Sequence, residues 1–188
     1  DIDHISAYAL IVETGTKLAA QIKRGDLTMP NDDLMADMYL LVDQMCNAAG
    51  LNWYELSNWA KPGKECLHNI AYWKSANWWG LGPGAHSHID KKRFWNVKHP
   101  TAYKQKLFSN ESPIAEYEDL TEEQLHDEAI MLAIRMRTGL PKSLLSNTAL
   151  ENLSAYEASG HLEIIGDYFQ LTAHGRLIAD RLVREALA

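Results

Sequence analysis

The hydrophobic pattern of the chain opens with a strand, two helices and a second strand. Residues 4–12 (HISAYALIV) are almost continuously apolar, which is typical of a strand buried on both faces in a parallel sheet. Capping residues and periodicity predict helices over 16–24 and 31–50, and WYEL at 53–56 predicts a short strand. The apolar residues that repeat along the longer helix are Leu34, Met38, Leu41, Val42 and Met45. This order is a βαβ unit, and one such unit cannot close a sheet. We therefore expect the end of a larger α/β domain whose earlier strands are missing.

Beyond residue 84 the pattern predicts a hairpin and then a mainly helical module. Residues 86–97 form two short runs about an Asp-Lys-Lys turn, and a helix over 100–108 leads to a Ser-Asn-Glu-Ser-Pro linker. We therefore expect two domains, 1–112 and 113–188. The later predictions are helices at 121–137, 142–146 and 150–159, a hairpin at 161–172 and a helix at 174–187. Helices, hairpin and helix in this order indicate a small winged-helix-like domain.

Charge and composition argue against some classes of partner and location. The net charge is −7, and residues 113–188 account for all of it, with 13 acidic against 6 basic side chains. That surface would repel a phosphate backbone, so we expect no nucleic-acid partner. No apolar run is long enough for an integral membrane segment, and no basic stretch followed by an apolar one opens the chain, so we expect a cytoplasmic location. Two separated cysteines argue against a disulfide framework or a zinc ribbon.

Residues 53–88 concentrate the unusual side chains. The stretch holds five of the six tryptophans, three of the eight histidines and one of the two cysteines. Aromatic and imidazole groups followed by a Gly-Pro-Gly turn are suited to a pocket for a flat ligand.

His68 is the central candidate within this stretch. In a helix, His68 and Tyr72 share one face, with Asn69 and Trp73 beside them. This arrangement could ligate a haem iron and flank its macrocycle. On these residues alone, a histidine bonded to the backbone and two aromatic residues in the core is the favoured interpretation, although the spacing does not decide.

Two other motifs suggest different ligands. Cys66 with His68, and His86 with His88, form two pairs whose donors would suit zinc, although the turn between them is not that of a known ribbon. Residues 80–85 (GLGPGA) fit a relaxed dinucleotide fingerprint, but Pro83 intervenes and a hairpin follows where a helix is required. We reject the dinucleotide interpretation. The glycines still allow a ligand to approach the backbone closely, at the end of a strand led by Trp78 and Trp79.

Several motifs resemble one family. They are YELSN at 54–58, AKPG at 60–63, HNIAYW at 68–73 and GLGPGAHS at 80–87. The chain is similar to the second half of the oxygen-independent coproporphyrinogen III oxidase-like radical S-adenosylmethionine (SAM) proteins, and within them to the haem-chaperone branch. The resemblance runs from ISAY at 5–8 to LT at 171–172 and GRL at 175–177, which is essentially the whole chain.

The resemblance implies a larger parent protein. Its fold would be α/β: this chain would form the C-terminal part of a partial (β/α) barrel, followed by the small winged-helix-like domain. The parent would carry a [4Fe–4S] cluster on a C-x-x-x-C-x-x-C motif and bind SAM. Cys46 and Cys66 do not form that motif, so we expect this chain alone to hold no cluster and to be inactive as an enzyme. By position, the SAM-proximal residues would be Ile11, Gly82, Gly84 and His86.

Within the family, H-N-x-x-Y-W implies a haem-binding and haem-delivery chaperone. His68 would ligate the iron, and Asn69, Tyr72 and Trp73 would complete the haem site. Expected partners are haem or a porphyrin, a haem-acceptor protein and the missing N-terminal half-barrel. The alternative is the oxidase itself, which decarboxylates propionates of coproporphyrinogen III. A third interpretation is a structural remnant whose open strand edges favour a homodimer.

Overall fold

The computed structural model describes residues 2–188, and the first part of the chain forms helices and one small sheet. The elements are β1 (His4–Ser6), α1 (Lys17–Lys23), α2 (Asp32–Ala48), β2 (Asn52–Glu55), β3 (Asn58–Ala60) and α3 (Leu67–Trp73). The two first helices begin where their caps predict, because the Thr16 and Asn31 side chains accept hydrogen bonds from the backbone N–H groups three residues later.

The strand pairing corrects the prediction of a parallel βαβ sheet. β3 lies between β1 and β2 and pairs antiparallel with both. β1 and β2 are therefore parallel to each other but are not neighbours. The tight β2–β3 turn explains this order, because it folds β3 back into the place that a parallel neighbour of β1 would occupy.

The first strand is also shorter and less buried than its apolar sequence predicts. It spans three residues, none of them fully buried, and Tyr8 and Ile11 beyond it are exposed. Just after β1, the Ala7 N–H donates a backbone hydrogen bond of 2.9 Å to the carbonyl oxygen of Ser57, in the turn between β2 and β3. The prediction of a strand over 4–12 buried on both faces is therefore wrong for residues 7–12.

A second sheet follows. It contains β4 (His86–Ile89), β5 (Lys92–Asn96) and β6 (Ile114–Asp119), in the order β4-β5-β6, and α4 (Pro100–Phe108) connects its last two strands. The β4–β5 hairpin and α4 confirm two predictions. β6 was not predicted: its side chains are all exposed, so no apolar periodicity marks it. Because β6 pairs with β5, the chain after residue 113 contributes to a sheet begun before it.

The remaining chain surrounds a third sheet of order β7-β9-β8. Its elements are α5 (Glu122–Ala133), β7 (Leu140–Pro141), α6 (Asn147–Ala158), β8 (Leu162–Ile165), β9 (Tyr168–Leu171), α7 (Ala173–Leu177) and α8 (Ala179–Ala186). The capping box of Thr121 and Gln124 confirms where α5 begins, but α5 ends four residues before the predicted position. The helix expected at 142–146 is one 3₁₀ turn, and the last helix is interrupted at Ile178.

One buried core runs through both parts of the chain. It joins Cys46, Leu51, Trp53 and Trp59 to Ile130, Ile134, Leu140, Leu153, Leu162, Phe169, Leu171 and Leu182. The backbone is joined as well, because the Arg137 N–H donates to the Tyr54 carbonyl oxygen at 2.9 Å. The expected boundary between 112 and 113 therefore does not separate two hydrophobic cores, and the two-domain division stays a prediction.

Candidate functional site

Helix α3 places His68 and Tyr72 one turn apart on its surface. Their ring centroids are 4.8 Å apart with the rings edge to face. His68 is exposed, and its imidazole nitrogens form no hydrogen bond with any other residue between 2 and 188. An imidazole in this position can bind an external ligand without first breaking a hydrogen bond to the described residues.

Tyr72 connects His68 to a ladder of rings that leads into the protein. Tyr72 lies 4.8 Å from Trp78, and Trp78 lies 4.9 Å from His88, measured between ring centroids. Trp78 and His88 also exchange two backbone hydrogen bonds, of 2.8 and 3.0 Å. This pairing is an isolated bridge, so the strand expected to be led by Trp78 and Trp79 does not form.

Three ring nitrogens of the ladder and of α3 are buried without a hydrogen-bond partner among the described residues. They are both nitrogens of His88 and Nε1 of Trp73. A buried polar atom that lacks a hydrogen bond costs roughly 1–3 kcal/mol. The His88 ring therefore packs against Trp78, while both of its nitrogens lack a hydrogen-bond partner among the described residues.

Asn69 contacts the first sheet. Its amide Nδ2 donates to the Glu55 carboxylate at 3.2 Å and to the Tyr54 hydroxyl at 3.4 Å. The Glu55 carboxylate also accepts a hydrogen bond from the Asn58 amide and one of 3.4 Å from the Ser57 backbone N–H. Burial raises the pKa of Glu55, although hydrogen bonds from Ser57 and Asn69 act to lower it. Burial also raises the pKa of the Tyr54 hydroxyl.

The Gly-Pro-Gly turn is held by side chains from three elements. The Gly80 N–H donates to the Ser87 hydroxyl at 2.9 Å, the Asn96 amide donates to the Gly82 carbonyl oxygen at 2.9 Å, and the Gly82 N–H donates to the Tyr103 hydroxyl at 3.3 Å. A Cβ on Gly80 would overlap the His86 carbonyl oxygen, so only glycine fits there. The backbone at Gly82 and Gly84 has positive φ.

Three of the four expected SAM-proximal residues lie in the glycine turn and the strand that follows it. Gly82 and Gly84 lie in the turn, and His86 begins β4, where its ring stacks on Trp95 at 5.4 Å between centroids. Ile11 is exposed in the segment after β1, and no hydrogen bond or ring contact joins it to that turn within residues 2–188.

A metal site of protein ligands does not form in the described part of the chain. Between residues 2 and 188 there is no group of three or more histidine, cysteine, aspartate or glutamate side chains that could hold a metal ion. The zinc interpretation of Cys66, His68, His86 and His88 is therefore wrong for this structure. Cys66 is exposed at the start of α3, and Cys46 is buried in α2. Across the same residues, no helix is long and apolar enough to cross a membrane.

Sequence reasoning missed the side chains that hold α3 and the glycine turn. Tyr54, Glu55, Asn58 and Ser87 enter the sequence analysis only as parts of motifs, and neither Asn96 nor Tyr103 is assigned a role there. One signal was present, because a glutamate inside the apolar strand WYEL must find hydrogen-bond donors if that strand is buried.

Comparisons with known proteins find relatives for this chain, some of them along nearly its whole length. Residues 120–178 match the family model of the HemN C-terminal domain. The chain is 48% identical over 186 residues to the haem chaperone HemW of Mycobacterium tuberculosis, a match that covers 99% of this chain and 48% of the relative. It is 34% identical over 142 residues to HemW of Bacillus subtilis, covering 76% of this chain and 38% of the relative. The chain spans about half the length of the curated relatives it matches.

One solved structure shares the fold. The radical SAM enzyme coproporphyrinogen III oxidase (HemN) from Escherichia coli matches with a TM-score of 0.70 at 18% identity, over 98% of this chain and 48% of that chain. At this identity the likeness concerns the α/β fold and not the reaction.

Proposed function

Because the chain belongs to the HemN/HemW family, we propose that it is the haem-binding part of a haem chaperone, with His68 as the ligand of the haem iron. The observation that carries this proposal is the accessible imidazole of His68, which forms no hydrogen bond with the described residues 2–188 and stands beside the exposed ring of Tyr72. Haem iron accepts a neutral imidazole nitrogen as an axial ligand. His68 would hold the iron, and Tyr72 and Trp73 would pack against the macrocycle.

The residues present fit this group at one face of α3. An axial ligand must be accessible to the haem iron, and His68 is exposed. Aromatic rings beside such a ligand can pack against the macrocycle, and Tyr72 is 39% exposed there. Asn69 completes the motif from the opposite side, where its amide holds the helix against the sheet.

The family also suggests what the parent protein contains. We infer a [4Fe–4S] cluster and SAM in the part of the relatives that this chain does not match, with Gly82, Gly84, His86 and Ile11 nearest to SAM. The partial (β/α) barrel, the winged-helix-like domain and a cytoplasmic location belong to the same proposal. Haem would pass to an acceptor protein.

An exposed apolar surface supports a partner for the first part of the chain. Tyr8, Leu10 and the outer side of α2 line an apolar groove of about 350 Å³. Groups of exposed apolar side chains mark interaction sites in soluble proteins. The N-terminal half-barrel of the parent protein would cover this groove.

Haem titration of the chain, followed by the Soret absorbance, tests the proposal. We expect saturation near one equivalent for the native chain and an affinity at least about 10-fold lower for His68→Ala, since an axial bond is lost. His126→Ala is the matched control, because His126 is also exposed on a helix but lies on α5. Equal titration curves for the native chain and His68→Ala would remove His68 as the ligand.

The oxidase remains the alternative function. Its test is anaerobic turnover of coproporphyrinogen III by the full-length protein. The fold likeness to HemN supports both functions equally, since the two would share one scaffold.

A further inference from the structure

An extra residue in β2 turns two neighbouring side chains toward α3. In the β2–β3 ladder Trp53 lies opposite Trp59, but the next pair joins Glu55 to Asn58, so Tyr54 is the additional residue of a bulge. Alternate residues of a regular strand point to opposite faces, and a bulge re-aims a side chain. Both Tyr54 and Glu55 consequently reach the Asn69 amide.

Helix α3 has little of its own to hold it in place. It is seven residues long, its N-cap residue Cys66 makes no side-chain capping bond, and no acidic residue lies in its first turn. Isolated helices shorter than about 12 residues are marginal in water. The orientation of α3 therefore depends on contacts with the rest of the chain.

The Glu55 carboxylate is the buried end of that contact. Glu55 is 1% exposed, and its acceptors are met by Asn58, Asn69 and the Ser57 N–H. A buried carboxylate needs such donors, so the Asn69 amide is required at this position of α3.

Because His68 directly precedes Asn69 in the helix, the orientation of Asn69 also fixes the orientation of His68. Neighbouring residues of an α-helix are rotated by about 100° about its axis. When Asn69 faces the sheet, His68 lies about 100° around the helix from it and is exposed, as observed.

We propose that Glu55 is a positioning residue for the haem site: through Asn69 it fixes the rotation of α3, and that rotation presents His68 to haem. In this proposal the Asn69 side chain contacts the sheet and does not contact the macrocycle. This inference rests on the proposed function of His68, but its structural half can be measured without haem.

A spin label on Cys66 gives the haem-free readout. Cys66 is exposed beside α3 while Cys46 is buried, so a thiol reagent labels the helix start selectively. Asn69→Asp places a second carboxylate against Glu55, and Glu55→Gln in the same chain restores an amide beside a carboxylate. Asn147→Asp is the matched control, because Asn147 is exposed at the start of α6.

We expect Asn69→Asp to increase label mobility and to lower haem affinity of the unlabelled chain about 10-fold, with Asn147→Asp unchanged. The Glu55→Gln/Asn69→Asp double variant should return both values most of the way to those of the native chain. If Asn69→Asp does not fold, Asn69→Ala at the same half-buried position replaces it.

Two results would overturn the inference. One is an unchanged label signal in a folded Asn69 variant. The other is a loss of haem affinity that the second substitution does not recover, which would make Asn69 a haem contact. If the native chain binds no haem while the label responds as expected, the proposed function fails and the positioning of α3 by Glu55 stands.

Discussion

Asp43 joins the beginning and the end of the chain through a buried ion pair. Its two carboxylate oxygens accept hydrogen bonds from the Arg176 guanidinium at 2.8 and 2.7 Å, and Oδ1 also accepts one from Trp59 Nε1 at 2.7 Å. Arg176 lies over the Trp53 ring, 4.6 Å from its centroid. Both partners of this ion pair are nearly inaccessible to solvent. Loss of either partner would leave a buried charge without compensation.

We predict that Asp43→Asn lowers the free energy of unfolding by about 3–5 kcal/mol, as measured by urea denaturation at pH 7, because Arg176 keeps its charge in a buried site. Asp26→Asn is the matched control: Asp26 pairs with Arg24 at 2.7 Å on the exposed surface, and such pairs contribute roughly 0–1 kcal/mol. Equal effects of the two substitutions would contradict the prediction.

The same carboxylate makes stability depend on pH in a defined direction. Burial acts to raise the pKa of Asp43, but the hydrogen bonds from Arg176 and Trp59 outweigh it, so the pKa lies below the usual value of 3.8. The stabilisation is present above the pKa of the unfolded chain and is lost as the pH falls through the lowered pKa of the folded chain. In Asp43→Asn we expect this acid-induced loss to be absent from the unfolding curves.

Helix α2 has two apolar sides, and this chain covers only one. Tyr39, Val42 and Cys46 pack against the core. The other side exposes Leu34, Met38, Leu41 and Met45, each between 54% and 63% accessible. We predict that the isolated chain self-associates through this exposed side and not at the β6 edge, because Glu116, Glu118 and Asp119 on that strand would repel a second copy.

We predict that Leu34→Lys with Met38→Lys changes the free energy of unfolding by less than about 0.5 kcal/mol, because both side chains are exposed in the native chain. Sedimentation velocity should show less self-association of this variant than of the native chain at the same concentration. Val42→Lys, on the packed side of the same helix, should instead destabilise the fold. Unchanged association would place the contact elsewhere.

The molecule as a whole depends on its C-terminal third. The core that contains Trp53 and Trp59 is completed by Ile134, Leu140 and Phe169, and Arg176 supplies the partner of Asp43. Residues 1–112 alone would expose these apolar surfaces and leave Asp43 without its cation. Without those contacts we expect residues 1–112 to bury too little apolar surface to offset the entropy of ordering the chain.

We therefore predict that a fragment of residues 1–112 does not fold. Its two-dimensional amide NMR spectrum should lack dispersion, and it should show no cooperative urea transition, whereas residues 1–188 should show both. A cooperative transition in the fragment would establish an independent N-terminal domain and would disprove the role of the shared core.

The features that the residue pattern predicted correctly depend on local interactions. The starts of α1, α2 and α5 follow from side chains that bond to backbone groups three residues away, and the β4–β5 hairpin follows from a turn between two short runs. The family resemblance also lay in short contiguous motifs, and the comparisons confirm it. His68 was found in this way, although its role is a proposal.

The sequence by itself determined the caps, the turns and the family, because each depends on residues close together along the chain. Only the tertiary structure decided that β3 separates β1 from β2, that β6 extends the second sheet, and that Asn69 faces Glu55. Those outcomes depend on which distant surfaces meet: Asn69 and Glu55 are 14 positions apart, and Asp43 and Arg176 are 133 apart. Strand pairing and buried polar contacts are selected by the free energy of the whole packed chain, and a local pattern does not contain that information.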